Sequence, residues 1–97
     1  MRHMLVGLMA AAALAAPASA QAPDVTVLAT TCATCHGAAL EGAGAVPGIK
    51  GRRSADLATA LHGFQTGERP ATIMTRLAKG WSSAEIDALA AKLGETK

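Results

Sequence analysis

The sequence predicts a small all-α domain of about four helices. Apolar residues recur at helical spacing in successive segments, no stretch alternates with the period of two that a strand requires, and Gly or Pro interrupts the chain between segments. The 97 residues leave room for one domain, and no internal repeat divides them.

Residues 1–20 stand apart from that domain. Arg2 and His3 make a short basic start, Met4 to Ala16 is a nearly unbroken apolar run, Pro17 breaks it, and Ala18-Ser19-Ala20 has the small residues of a cleavage sequence. The pattern predicts a signal peptide cleaved after Ala20 and an exported, periplasmic chain of residues 21–97. The apolar run of 13 residues falls short of the ~18 needed for a membrane-spanning helix, which ranks an uncleaved anchor second. No Cys follows the cleavage sequence and no twin arginine precedes it, so the expected route is general export without a lipid anchor.

In the domain, Asp24 is placed to cap a helix running to about Cys35, with Val25, Leu28 and Ala29 on one face. Gly37 stops it. Residues 37–53, rich in Gly and containing Pro47, read as an ordered loop. Ser54 reads as the cap of a second helix carrying Leu57, Leu61 and Phe64 at i, i+4 and i+7, ended by Gly67. Pro70 stands where a first helical residue would, predicting a short helix from about Ala71 to Lys79 before Gly80. Ser82-Ser83-Ala84-Glu85 is a capping-box pattern. It opens a last helix whose stripe is Ile86, Leu89, Ala90 and Leu93.

Composition narrows the class further. Arg2 is one of nine Lys and Arg residues, so residues 21–97 carry eight against seven Asp and Glu, and no basic stripe suggests nucleic acid. One Phe, one Trp, no Tyr and many Ala and Gly make a thin core. Domains this small are marginal without a staple. A bound cofactor with its own apolar volume would supply one.

Cys32-Ala33-Thr34-Cys35-His36 points to that cofactor. Two thiols two residues apart on a helix can reach both vinyl groups of one haem, with the following His beneath the iron, and C-x-x-C-H is a signature of c-type haem attachment. Three readings compete. A thioredoxin-like redox pair needs a βαβ context, which the pattern lacks. Zinc would have to use Cys32, Cys35, His36 and His62, with the first His too close for finger spacing. A disulfide between the cysteines would close a very small loop and stabilise little.

A haem with one fixed His needs a second ligand or an open site. Met74 is the sole Met of residues 21–97, the others being Met1, Met4 and Met9. A lone Met is usually core filler, but thioether with imidazole raises the reduction potential and suits an electron carrier. His62 is the rival ligand, or else a surface or haem-edge residue. An open iron able to bind small gases or peroxide is the third case.

The sequence resembles the class I cytochromes c over nearly all of residues 24–95. The matching stretches are Cys32 to Gly37, Val46-Pro47-Gly48-Ile49-Lys50-Gly51-Arg52, Phe64-Gln65-Thr66-Gly67-Glu68-Arg69, Thr72 to Trp81, and Glu85-Ile86 with Leu89-Ala90. The phrase F-x-x-G-x-R, then I-M-x-R-x-A-K-G and an aromatic, is most similar to the monohaem units of the cytochrome subunit of flavocytochrome c sulfide dehydrogenase. Cytochromes c4 and c-553 are neighbours. The resemblance implies the cytochrome c fold around one covalently bound haem, with His36 and Met74 as axial ligands. It also implies that the Pro47 carbonyl accepts a hydrogen bond from His36, a contact that fixes the ring and tunes the iron. Arg52 and Trp81 are placed near the haem edge or propionates, Trp81 equally as core. The closest phrases often come in two-haem proteins, whereas this chain has a single C-x-x-C-H.

The expected function is outer-sphere transfer of single electrons, as the cytochrome subunit or acceptor of a sulfide-oxidising flavoprotein. A free soluble carrier to a terminal oxidase or reductase is the alternative, and a haem enzyme or gas sensor with open iron is a more distant one. The near-neutral charge balance predicts a mostly apolar docking patch around the haem edge, or a permanent subunit contact, rather than strong electrostatic steering.

Overall fold

The structure, a computed structural model, describes Gly7 and residues 24–96. The signal peptide expected over residues 1–20 lies, Gly7 apart, outside the described residues, as does its boundary with the 21–97 domain. The described residues form four helices and no strand: α1 (Val25–His36), α2 (Ser54–Thr66), α3 (Met74–Ala78) and α4 (Ser83–Leu93). None is long and apolar enough to cross a membrane.

The ends of α1 and α4 follow from local chemistry, as the sequence predicts. Asp24 Oδ1 accepts a hydrogen bond from Thr26 N at 2.8 Å, satisfying one of the free amides of the first turn. At α4, Ser82 Oγ accepts from Glu85 N at 3.1 Å and Glu85 Oε1 accepts from Ser82 N at 3.2 Å, a complete capping box. Gly67 ends α2 in the left-handed conformation, with φ 85°.

Two helix starts differ from expectation. Ser54 is the first residue of α2 rather than its cap, and Arg53, which stands at the cap position, makes no side-chain cap hydrogen bond. The Ser54 amide instead donates to Glu95 O at 2.9 Å while Glu95 N donates to Arg52 O at 2.9 Å, so the strand of chain beyond α4 closes the helix end. This tertiary pairing leaves Ser54 Oγ buried without a partner. Gly94 makes it possible, since a Cβ there would stand 2.5 Å from Ser54 Cα. The second difference is α3, which begins at Met74, three residues later than expected. Before it the chain turns back onto α2, where Arg69 N donates to Gly63 O at 3.0 Å. Only at Ile73 does the backbone enter the helical region, with Ile73 O accepting from Arg76 N and Leu77 N.

The core forms where α4 meets its neighbours. Leu57 and Leu61 of α2 and Ile86, Leu89 and Ala90 of α4 are buried together. Val25, Leu28, Ala29 and Cys32 of α1 pack against them, as do Phe64, Met74, Trp81 and Leu93. α4 packs on both α1 and α2, and α3 packs on α2, which sets α1 and α3 at opposite ends of the packing order. Ile86 and Leu89 are the largest fully buried side chains among the described residues. Burying one such side chain contributes about 1.5–3 kcal/mol, so few residues carry much of the stability.

Candidate functional site

The loop between α1 and α2 is ordered by its own backbone. Gly42 N donates to His36 O at 2.7 Å, Leu40 O accepts from Ile49 N at 2.8 Å and Lys50 N at 3.0 Å, and Ala43 and Val46 exchange two hydrogen bonds of 3.0 Å. Leu40 sits at φ 58°, a conformation L residues seldom adopt outside such a closed turn. Gly42 lies at φ 77°, and a Cβ on it would stand 2.5 Å from Gly48 N and 2.6 Å from Val46 O. Two runs of backbone therefore touch with no side chain between them.

This folding brings Pro47 against the end of α1. His36 Nδ1 donates to Pro47 O at 2.7 Å. A carbonyl can only accept, so the proton of the neutral ring belongs on Nδ1, and Nε2 keeps its lone pair. His36 is the one buried polar residue among the described residues.

His36 opens onto an apolar pocket of about 90 Å³ that is open to solvent. The loop supplies Pro47, Gly48, Ile49 and Arg52 to its walls, α2 supplies Leu57, Ala60, Leu61 and Phe64, and α4 supplies Leu93. Met74 and Arg69 complete the wall. Arg69 is set in place by its backbone bond to Gly63 and by its guanidinium, 5.3 Å from the centre of the Phe64 ring. Neither Arg69 nor Arg52 has an ion pair among the described residues, whereas the adjacent Arg53 is held by Asp56 at 2.8 Å. No carboxylate among the described residues lines the pocket.

Of the residues singled out in the sequence, the pocket gathers His36, Pro47, Arg52 and Met74. Cys32 and Cys35 lie outside its lining. Cys32 is half-buried on the core side of α1, where burial pushes its thiol pKa up and its Sγ lies 3.6 Å from Leu28 O; Cys35, one turn on, is exposed. Trp81 packs on the core, its carbonyl bound by Gln65 Nε2. His62 faces away from the pocket, with Nε2 2.7 Å from Asp87 Oδ1 on α4. No three His, Cys, Asp or Glu residues cluster as a metal site among the described residues. Sequence reasoning missed Arg69 as a wall residue. The F-x-x-G-x-R phrase held both Arg69 and Phe64, but their stacking depends on the reversal at Gly67.

The donor set is one imidazole nitrogen and one thioether, in apolar walls with two guanidinium groups that have no ion pair among the described residues. It suits a flat apolar group with a borderline-soft metal and anionic substituents, and so fits a haem. Fold and pocket together define a small all-α chain with an apolar pocket that carries one imidazole and one thioether. The chain is similar to the cytochrome subunit of sulfide dehydrogenase of Chlorobaculum tepidum, with 37% identity over 68 residues. The match covers 70% of this chain and 62% of that relative, so it spans less than two thirds of the relative's length. No family model matches the chain.

Proposed function

We propose that this chain is an exported, periplasmic c-type cytochrome that carries single electrons through one haem ligated by His36 and Met74. The observation that supports this best is the pocket itself. Met74 and His36 line one apolar space, and the Pro47 carbonyl holds His36 with Nε2 free to bind a metal. When bound, the haem supplies one-electron exchange at its iron, chemistry that belongs to the cofactor.

The chain's own residues do the rest. Cys32 and Cys35 hold the haem through thioether links. Pro47 fixes the His36 ring and keeps its proton on Nδ1, which raises the basicity of the opposite nitrogen. The Met74 thioether favours the reduced state and sets a higher potential than a second imidazole would. Leu57, Leu61, Phe64 and Leu93 would exclude water, while Arg52 and Arg69 would offer cations to the haem carboxylates. Ligands held the same way in both oxidation states need little rearrangement.

The electron donor is a flavoprotein that oxidises sulfide. The name of the similar cytochrome subunit supports a sulfide-oxidising partner, the flavin is what the resemblance of the sequence implies, and the partner, not this chain, holds the substrate. A haem stain of the exported chain on a denaturing gel tests the covalent link. Wild type should stain and the Cys32→Ala/Cys35→Ala pair should not; an unstained wild type would overturn the reading.

A further inference from the structure

Gly63 stands in the interior of α2, where a glycine weakens a helix relative to alanine through its extra freedom in the unfolded chain. Its backbone gives no reason for the choice, since it is not among the glycines with positive φ. Its surroundings do. A Cβ on Gly63 would stand 3.0 Å from Arg69 Cβ, 3.8 Å from Arg69 N and 3.9 Å from Arg69 Cδ. The first distance is well inside the ~3.5–4.0 Å of an ordinary carbon–carbon contact. The chain that reverses at Gly67 therefore comes back onto bare backbone of α2.

The Gly63 carbonyl receives the returning chain. It belongs to the last turn of α2, where carbonyls lack a partner within the helix. It accepts from Arg69 N at 3.0 Å and from Thr66 Oγ1 at 3.2 Å. Thr66 Oγ1 in turn accepts from Glu68 N at 3.3 Å. Arg69 is held a second time by its guanidinium over the Phe64 ring. From Arg69 the chain leads to Met74, and past α3 the Trp81 carbonyl accepts from Gln65 Nε2. The segment carrying Met74 is thus fastened to α2 at both ends, by the residues on either side of Phe64. Phe64 itself lines the pocket with Met74 and Arg69.

We propose that Gly63 is a positioning residue for Met74: lacking a side chain, it lets Arg69 dock on its carbonyl, and that docking sets how firmly Met74 is held against competing ligands. The proposal rests on the reading of Met74 as an iron ligand. A side chain at position 63 pushes Arg69 away while Gln65 still holds the far end of the segment, so the displacement falls on the residues between, Met74 among them. Alanine also favours the helix. Gly63→Ala should therefore strengthen α2 and loosen Met74 at once, a combination that a residue serving only the fold does not produce.

Imidazole added to the oxidised, haem-loaded protein is the probe. It must displace Met74 to bind, and loss of the weak red-end absorption of thioether-bound ferric iron follows its binding. Gly63→Ala should bind imidazole about two- to tenfold more tightly than wild type, the range that loss of one hydrogen bond of ordinary net strength produces. In saturating imidazole, with Met74 displaced in both proteins, Gly63→Ala should unfold in urea at or above the wild-type midpoint. In an Arg69→Gly background, which removes the Cβ at 3.0 Å, the same substitution should change imidazole affinity less. Asp24→Ala, which removes the cap of α1, should lower the midpoint and leave imidazole affinity unchanged. A tightening as large in Asp24→Ala, or an undiminished effect of Gly63→Ala in the Arg69→Gly background, would overturn the proposal. So would a midpoint below wild type in saturating imidazole, which would make Gly63 a residue of the fold alone. A wild type without the thioether absorption would defeat the Met74 reading and this proposal together; a wild type that has it, with equal imidazole affinity in Gly63→Ala, would defeat this proposal alone.

Discussion

Replacing Gly42 by Ala isolates the role of the loop that holds His36. Gly42 and Gly44 both have positive φ, 77° and 56°, so an Ala at either adopts a left-handed conformation costing about 1–2 kcal/mol. The gain from restricting the unfolded chain is the same at both sites. They differ in surroundings: a Cβ at Gly44 meets nothing within 4 Å, whereas one at Gly42 stands 2.5 Å from Gly48 N and 2.7 Å from Pro47 C. The backbone must part there, and the Ala43–Val46 and His36–Pro47 hydrogen bonds go with it. Each contributes about 0.5–1.5 kcal/mol. With two bonds between Ala43 and Val46 and one between His36 and Pro47, Gly42→Ala should therefore destabilise by about 1.5–4.5 kcal/mol more than Gly44→Ala. Equilibrium urea unfolding of the two haem-loaded variants, with unchanged m-values, measures the difference. Equal midpoints would refute the claim that this backbone contact supports the site.

Leu89→Ala should cost about 2–5 kcal/mol, because Leu89 is fully buried where α4 meets its neighbours; a loss below about 1 kcal/mol in thermal melts would show that the core lies elsewhere. Gly94→Ala should drive Ser54 and Gly94 apart and speed hydrogen exchange at the Ser54 and Glu95 amides, while exchange within the first turn of α1 stays unchanged. In the haem-free chain, alkylation should label exposed Cys35 before Cys32. Burial raises the Cys32 pKa, so less thiolate is present at a given pH and its labelling should catch up only as pH rises. Peptide mass spectrometry across a pH series checks the order, and equal rates at every pH would contradict it.

The elements legible in the sequence are those decided within a few residues. Asp24 and the Ser82–Glu85 box cap their helices through side chains on the same turn, and the α4 stripe of Ile86, Leu89 and Ala90 is the buried stripe. The misread starts depend on distant chain. Ser54 carries a good capping side chain, but Glu95 takes its amide. The start of α3 is delayed because Arg69 first returns to Gly63. For the site, spacing marked Cys32, Cys35 and His36, and elimination marked Met74. The Pro47 contact came from resemblance, since nothing in a loop proline's sequence says which side chain its carbonyl will meet.

The most direct test of the His36–Met74 centre is the visible spectrum of the oxidised, haem-loaded protein compared across Met74→Ala and His62→Ala. A thioether bound to ferric iron gives a weak charge-transfer band at the red end. Wild type and His62→Ala should both show it, since the His62 ring pairs with Asp87 outside the pocket. Met74→Ala should lose it and have a lower reduction potential. A band that survives in Met74→Ala, or disappears in His62→Ala while the fold is intact, would contradict the ligand assignment.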